Sequence, residues 1–149
     1  MPTPSGASIE RRFPYPVEHA WRLFADFARM PTVVPGVSEC ELRSSGDGVV
    51  RHVFFEDHFT DERLDLMDHE AHRIRYTVIS SSPDFLANGY SAEMRLSPEG
   101  PDACRFTWRS TFTVADGVDP APVVARLERA YGISVNAFQA DLERHYGKR

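Results

Sequence analysis

Between Asp119 and Tyr146 apolar residues fall at Val123, Val124, Leu127, Tyr131, Val135, Phe138, Leu142 and Tyr146. Steps of mostly three and four put them on one face of an α-helix. Arg126, Glu128, Arg129, Gln139, Asp141, Glu143 and Arg144 fall to the opposite, solvent-facing side. Asp119-Pro120 is a start signal, a capping side chain followed by a residue that needs no amide partner. Such a helix is ~40 Å long, and its stripe requires a cover of similar length. The only other helical pattern, Val17, Ala20, Trp21, Phe24 and Phe27 within Val17–Phe27, is too short, so the cover is a sheet.

The rest of the chain alternates with period two. Ala7–Phe13 reads as a first strand, preceded by a loose leader over residues 1–6 and closed by Pro14 and Pro16. After Met30-Pro31 and the turn Val33–Gly36, strands are expected from Val37, over Val49–Phe55, Phe59–Met67, Arg73–Ser80, Asn88–Leu96 and Arg105–Val114. In Phe59–Met67, Glu62, Leu64 and Leu66 share a face. Ser44-Ser45-Gly46-Asp47-Gly48 is a strong hairpin signal. A first strand and six more joined by tight turns, with one apolar face, make a seven-stranded antiparallel sheet, and a curved sheet wrapped on one long helix buries both stripes. The expectation is a single α+β domain over residues 1–149.

Ala130 and Ser134 lie on or beside the helix stripe, and Gly132 sits mid-helix at about 1 kcal/mol relative to alanine. Small residues there mean either close helix–sheet approach or a cavity under the helix. Composition narrows the picture further. With 42% apolar and 26% charged residues the 149-residue chain is an ordinary globular one, and its net charge of −5 supplies no footprint for nucleic acid. No stretch approaches the length of a membrane span and no signal-peptide core is present at the start. Cys40 and Cys104 lack metal-site spacing and point to a reduced, cytosolic chain.

The run Val17, Trp21-Arg22-Leu23-Phe24, Asp26-Phe27, Pro31, Pro35-Gly36-Val37 and Cys40-Glu41-Leu42 resembles the opening of the START-like, helix-grip superfamily. Within it the likeness is to polyketide cyclase/dehydratase-like proteins. Glu62-Arg63-Leu64 with Asp68, Asn88-Gly89-Tyr90 and Thr107–Phe112 agree with that pattern, and together the pieces cover about Ser8 to Leu142. The resemblance implies a helix-grip fold with a ligand between sheet and long helix. It covers receptors, lipid carriers, aromatases and cyclases alike, and fold cannot choose among them. In the plant abscisic-acid receptors of this superfamily two loops close over the ligand. Their matching positions here are about Phe55–His58 and Pro83–Ala87, which brings Phe55, His58 and Phe85 to a site. The receptors' Ser-Gly-Leu-Pro gate is absent, and Ser38 stands where they use a lysine, so a carboxylate ligand held that way does not carry over.

Glu62 is the most informative polar residue, since a carboxylate beside apolar neighbours must be hydrogen-bonded, paired or protonated. It can contact a ligand, serve as general acid or base, or bridge to an inward arginine such as Arg51. Both faces of Val49–Phe55 carry apolar residues, so Arg51 or His52 can face in; the family pattern favours Arg51, and the more ordinary outcome is a solvated arginine at the sheet edge. Tyr90 offers a phenol to a ligand oxygen or an enolate, or simply satisfies itself locally. Phe106, Trp108 and Phe112 form an aromatic wall suited to a flat ligand, or plain core. Tyr76, Ser110, Tyr131, Ser134 and Phe138 complete the expected lining. Asp68-His69-Glu70-Ala71-His72 has ligand-type residues but sits in a turn without metal-site spacing, and no metal is expected. Two main functions remain open. One is binding of a small hydrophobic, cyclic, polyketide- or lipid-like molecule by a carrier or receptor. The other is cofactor-free cyclisation or dehydration in the same cavity, with Glu62, Tyr90 or Arg51 as catalytic candidates. A protein-interaction module is the weakest alternative.

Overall fold

The structure is a computed structural model that describes residues 1–46 and 48–149, with the backbone alone at Ser45. Asp47, part of the expected hairpin turn, lies outside the described residues. In chain order the elements are β1 (Thr3–Phe13), α1 (Val17–Phe24), a 3-10 turn (Met30–Val33), β2 (Val37–Ser45), β3 (Gly48–Phe55), β4 (His58–Asp68), β5 (Arg73–Ser81), β6 (Asn88–Pro98), β7 (Cys104–Val114) and α2 (Pro120–Tyr146). The strands form one antiparallel sheet in the order β1-β7-β6-β5-β4-β3-β2. Each hairpin neighbour pairs with the next, and only β1 leaves chain order to lie beside β7. The α+β expectation of a seven-stranded sheet gripping a C-terminal helix holds.

Alternation sets which side chains face the helix. Along β7, Phe106, Trp108, Ser110 and Phe112 are buried, while Arg109 and Thr111 between them are exposed. The helix begins where capping chemistry dictates. The Asp119 carboxylate accepts from the Ala121 amide at 3.0 Å, and Pro120 follows at the first helical position. It ends at Gly147, whose φ of 84° few other residues adopt.

The stripe of α2 is not covered evenly. Tyr131, Val135, Phe138 and Leu142 are buried, but Val123, Val124 and Leu127 are only partly so. Under the C-terminal half the interior is filled by aromatic rings. Phe24 lies 4.8 Å from Phe106 and 5.1 Å from Phe138, and Phe13 lies 5.8 Å from Phe106. The N-terminal half of the helix overhangs a hollow.

Four details depart from the sequence reading. Thr3–Gly6 is not a loose leader; it extends β1 along β7 as an edge strand, where Pro4 is tolerated because one side of the strand carries no ladder. Helix α1 stops at Phe24, and Phe27 reaches the core from the turn that follows. A register shift between Leu64 and Leu66 turns Leu66 outward beside Arg75 and sends Met67 to the core. Asp141, placed by its polarity on the solvent side, is 3% exposed. Its carboxylate takes Arg29 at 2.9 Å and Arg144 at 3.1 Å, tying α2 to the segment after α1.

Candidate functional site

The hollow lies between the inner face of β3–β7 and the N-terminal half of α2, and it has two lobes. The larger, about 310 Å³, is walled by Met94, Trp108, Tyr76, Val34 and Phe138, with Arg51 and Glu62 set among them. The smaller, about 240 Å³, is walled by Phe59, Phe85, Ala87, Val123 and Leu127, with His58 and Asp84 at its rim. Val53, Phe55, Arg126 and Ala130 line both.

The polar feature of the larger lobe is an ion pair built on adjacent strands. Arg51 on β3 lies opposite Glu62 on β4, so alternation points both at the hollow. Nε of Arg51 donates to Glu62 Oε1 at 2.7 Å and Nη1 donates to the Phe27 carbonyl at 3.0 Å. The guanidinium also stacks 3.9 Å from the Phe27 ring centroid. Thr60 Oγ1 donates to Glu62 Oε2 at 2.8 Å, so each carboxylate oxygen has one donor and a lone pair to spare. Arg51 is 2% exposed, so its charge is deeply buried and has its counter-charge beside it.

Behind the aromatic wall runs a chain of hydroxyls. Ser110 Oγ donates to the Ala7 carbonyl at 3.3 Å and Tyr131 donates to Ser110 at 2.7 Å. Tyr131 also contacts the Tyr90 hydroxyl, which lies 3.3 Å from that of Tyr76. Trp108 Nε1 donates to Tyr76 at 3.2 Å. A carbonyl only accepts and an indole N–H only donates, and each hydroxyl has one proton. The direction is therefore fixed: Trp108 to Tyr76 to Tyr90 to Tyr131 to Ser110 to Ala7. Burial pushes the Tyr131 phenol up to about 12, and those of Tyr76 and Tyr90 well above the ordinary tyrosine range.

Of the expected site residues, Arg51, Phe55, His58, Glu62, Tyr76, Phe85, Trp108, Ser134 and Phe138 line the hollow. Tyr90, Ser110 and Tyr131 stand behind the wall, with their hydroxyl protons committed within the chain just traced. Phe106 packs in the filled end of the core. His58 pairs with Asp84 at 2.8 Å, joining the β3–β4 turn to the β5–β6 loop. In the Asp68–His72 turn, His69 accepts from Trp21 at 3.2 Å and His72 meets Glu18 at 2.9 Å. Arg126 and Arg129, assigned by polarity to the far side of α2, also line the hollow. Their spacing from Val123, Ala130 and Ile133 was the available signal, since steps of three and four share a face. Met30, Pro31 and Val34 come from the irregular segment after α1, which has no period to read.

A curved antiparallel sheet closed over one long C-terminal helix, with a hollow between them, defines a START-type helix-grip protein. Residues 7–143 match the family described as polyketide cyclase / dehydrase and lipid transport, and the chain belongs to that family. Among solved structures it is similar to the Zhui aromatase/cyclase from Streptomyces sp. R1128, with 21% identity over 95% of this chain and 94% of that one, at a TM-score of 0.75. A START superfamily protein from Mycobacterium smegmatis shares 14% identity over 93% of this chain and 97% of that one, at 0.77. Norcoclaurine synthase from Thalictrum flavum, solved with dopamine and hydroxybenzaldehyde, shares 16% over 99% of this chain and 91% of that one, at 0.73. At these identities the likeness is one of fold. No sequence of a curated protein matches the chain. Among the described residues no helix is long and apolar enough to cross a membrane.

Proposed function

We propose that this protein binds a small, mainly apolar, ring-containing molecule in the hollow under α2, with the Arg51–Glu62 pair as its polar anchor. The pair supports this reading because the sheet side of the wall around it is aromatic and aliphatic, the other polar residues, Arg126, Arg129 and Ser134, coming from α2. A few polar groups in an apolar concavity orient a ligand while the walls supply the binding energy. The pair itself carries no net charge, so at that point of the wall it suits a neutral end group, while the charges of Arg126 and Arg129 are on exposed side chains of α2. A hydroxyl or enol can donate to the spare Glu62 lone pairs and accept from a free guanidinium N–H. Polyketide-like phenols and hydroxylated lipids both meet that description. The free thiols of Cys40 and Cys104 fit a reducing compartment such as the cytosol.

The test is thermal unfolding against a panel of neutral phenols, fused aromatics and lipids. A true ligand at a hundred times its Kd adds about 2.7 kcal/mol, roughly 5–10 °C for a chain of this length. No shift from any member would remove the reading.

A second reading adds catalysis: cofactor-free cyclisation or dehydration, as in aromatase/cyclases. Glu62 favours it, since a carboxylate with spare lone pairs against an apolar wall is placed to take a proton from an enolisable ligand. Glu62→Gln keeps the shape and loses the base. Retained affinity with lost turnover supports an enzyme; turnover equal to wild type rules Glu62 out as the base. Tyr90→Phe is the companion variant. Its phenol proton is already given to Tyr131, so its loss is expected to lower stability more than turnover.

A further inference from the structure

The two lobes share one boundary. Val53 and Phe55 are two residues apart on β3 and face the same way; Arg126 and Ala130 are four apart on α2 and face the same way. These four line the boundary between the lobes, with β3 as floor and α2 as roof. The floor is fixed by Gly36. Its φ is +92°, and a Cβ there would stand 2.5 Å from Cε2 of the Phe55 ring, so the missing side chain is the seat of that ring. At the roof, residue 130 contributes only a methyl group.

The lobes differ in what they offer. In the smaller one the polar side chains bond within the wall or stand at its rim, where Arg126 lies 3.8 Å from Asp84. Thr60 donates to Glu62, Ser82 Oγ accepts from the Phe59 amide at 2.7 Å, and His58 and Asp84 pair with each other at the rim. Its interior presents Phe59, Phe85, Ala87 and Leu127. The larger lobe holds a largely buried ion pair with capacity left over. Along α2 the lining runs from Val123 to Phe138, about 22 Å at the helical rise.

Building on the binding reading above, we infer that the two lobes form one elongated site divided at Phe55 and Ala130. The ligand is a neutral hydroxylated ring that rests on Arg51 and Glu62 and carries an apolar tail across that boundary into the smaller lobe. Ala130 then sets the tail length that the protein accepts.

The experiment uses 4-n-alkylphenols from ethyl to octyl, with Kd measured by calorimetry on the full chain. In wild type each added methylene tightens binding about three- to fourfold, so octyl binds more than about 100 times tighter than ethyl. In Ala130→Phe the octyl-to-ethyl ratio falls below about 10, because the added ring stands in the way of the tail. Residue 130 is exposed on the helix, and thermal unfolding of the free variant checks that the fold is kept. Phe55→Ala widens the floor instead, keeps the wild-type ratio and admits the branched 4-tert-octylphenol. An Ala130→Phe ratio equal to that of wild type, or a wild-type protein that binds ethylphenol with no dependence on chain length, overturns the elongated site alone. A wild-type protein that binds no member of the series overturns the binding reading with it.

Discussion

At the level of single residues, the decisive group is a buried cation with its partner. Arg51 spends its guanidinium on Glu62, on the Phe27 carbonyl and on the Phe27 ring, which leaves little to be stabilised by water. Removing one member of such a pair strands the other charge. Glu62→Leu is expected to cost about 3 kcal/mol, the low end for a stranded buried charge because Glu62 itself is 14% exposed. The double variant Arg51→Met/Glu62→Leu is expected to lose at least about 1 kcal/mol less than the two single losses combined. Urea unfolding of all four proteins measures this cycle. A double variant whose loss equals that sum would mean the charges do not feel each other.

Among the elements, α2 does two jobs with two halves. Its C-terminal half is packed by Val135, Phe138 and Leu142 and tied down by Asp141. Its N-terminal half overhangs the hollow. Gly132 lies between them, and a methyl group added there meets nothing within 4 Å. Close approach to the sheet therefore does not explain this glycine, and in the helix it carries only its entropic cost. Gly132→Ala is expected to stabilise the protein by about 1 kcal/mol. A lower melting temperature for that variant would show that the helix needs to bend there.

For the molecule as a whole, the hydroxyl chain couples five elements. It crosses from β5 and β6 through α2 to β7 and β1, linking Tyr76, Tyr90, Tyr131, Ser110 and Ala7. Its tyrosines keep their protons in the folded protein at pH values where they have begun to lose them in the unfolded chain. A raised folded pKa means that the native state binds more protons, so the stability they supply is full below about pH 10 and is lost as pH rises beyond it. For Tyr131 the loss runs from the ordinary tyrosine value of 10.0 to about 12. Urea midpoints measured from pH 8 to 11.5 are expected to hold level and then fall above pH 10. Tyr131→Phe is expected to start lower and fall less steeply. An alkaline slope unchanged in that variant would show that Tyr131 does not titrate with unfolding.

Much of this was legible in the sequence, for reasons visible residue by residue. Strict alternation over Arg105–Val114 fixed which face of β7 is buried, and Asp119-Pro120 fixed where the last helix starts. Glu62 stood out because a carboxylate beside Leu64 demands a partner. What the alternation could not carry was a break in its own rhythm. The bulge at Asp65 exchanges Leu66 for Met67, and nothing in the side chains there announces it. Nor could polarity locate Arg126, Arg129 and Asp141. An arginine lining a hollow and one facing bulk water look the same in a helical pattern, and Asp141 is buried where Arg29, 112 residues away, joins Arg144 in neutralising it. By itself, then, the sequence determined the elements, their order and the inward face wherever the alternation is unbroken, because those follow from local periodicity and caps. The tertiary structure alone decided that the helix covers its sheet at one end and leaves it open at the other. That outcome depends on how large side chains from distant segments meet, and no local pattern encodes it.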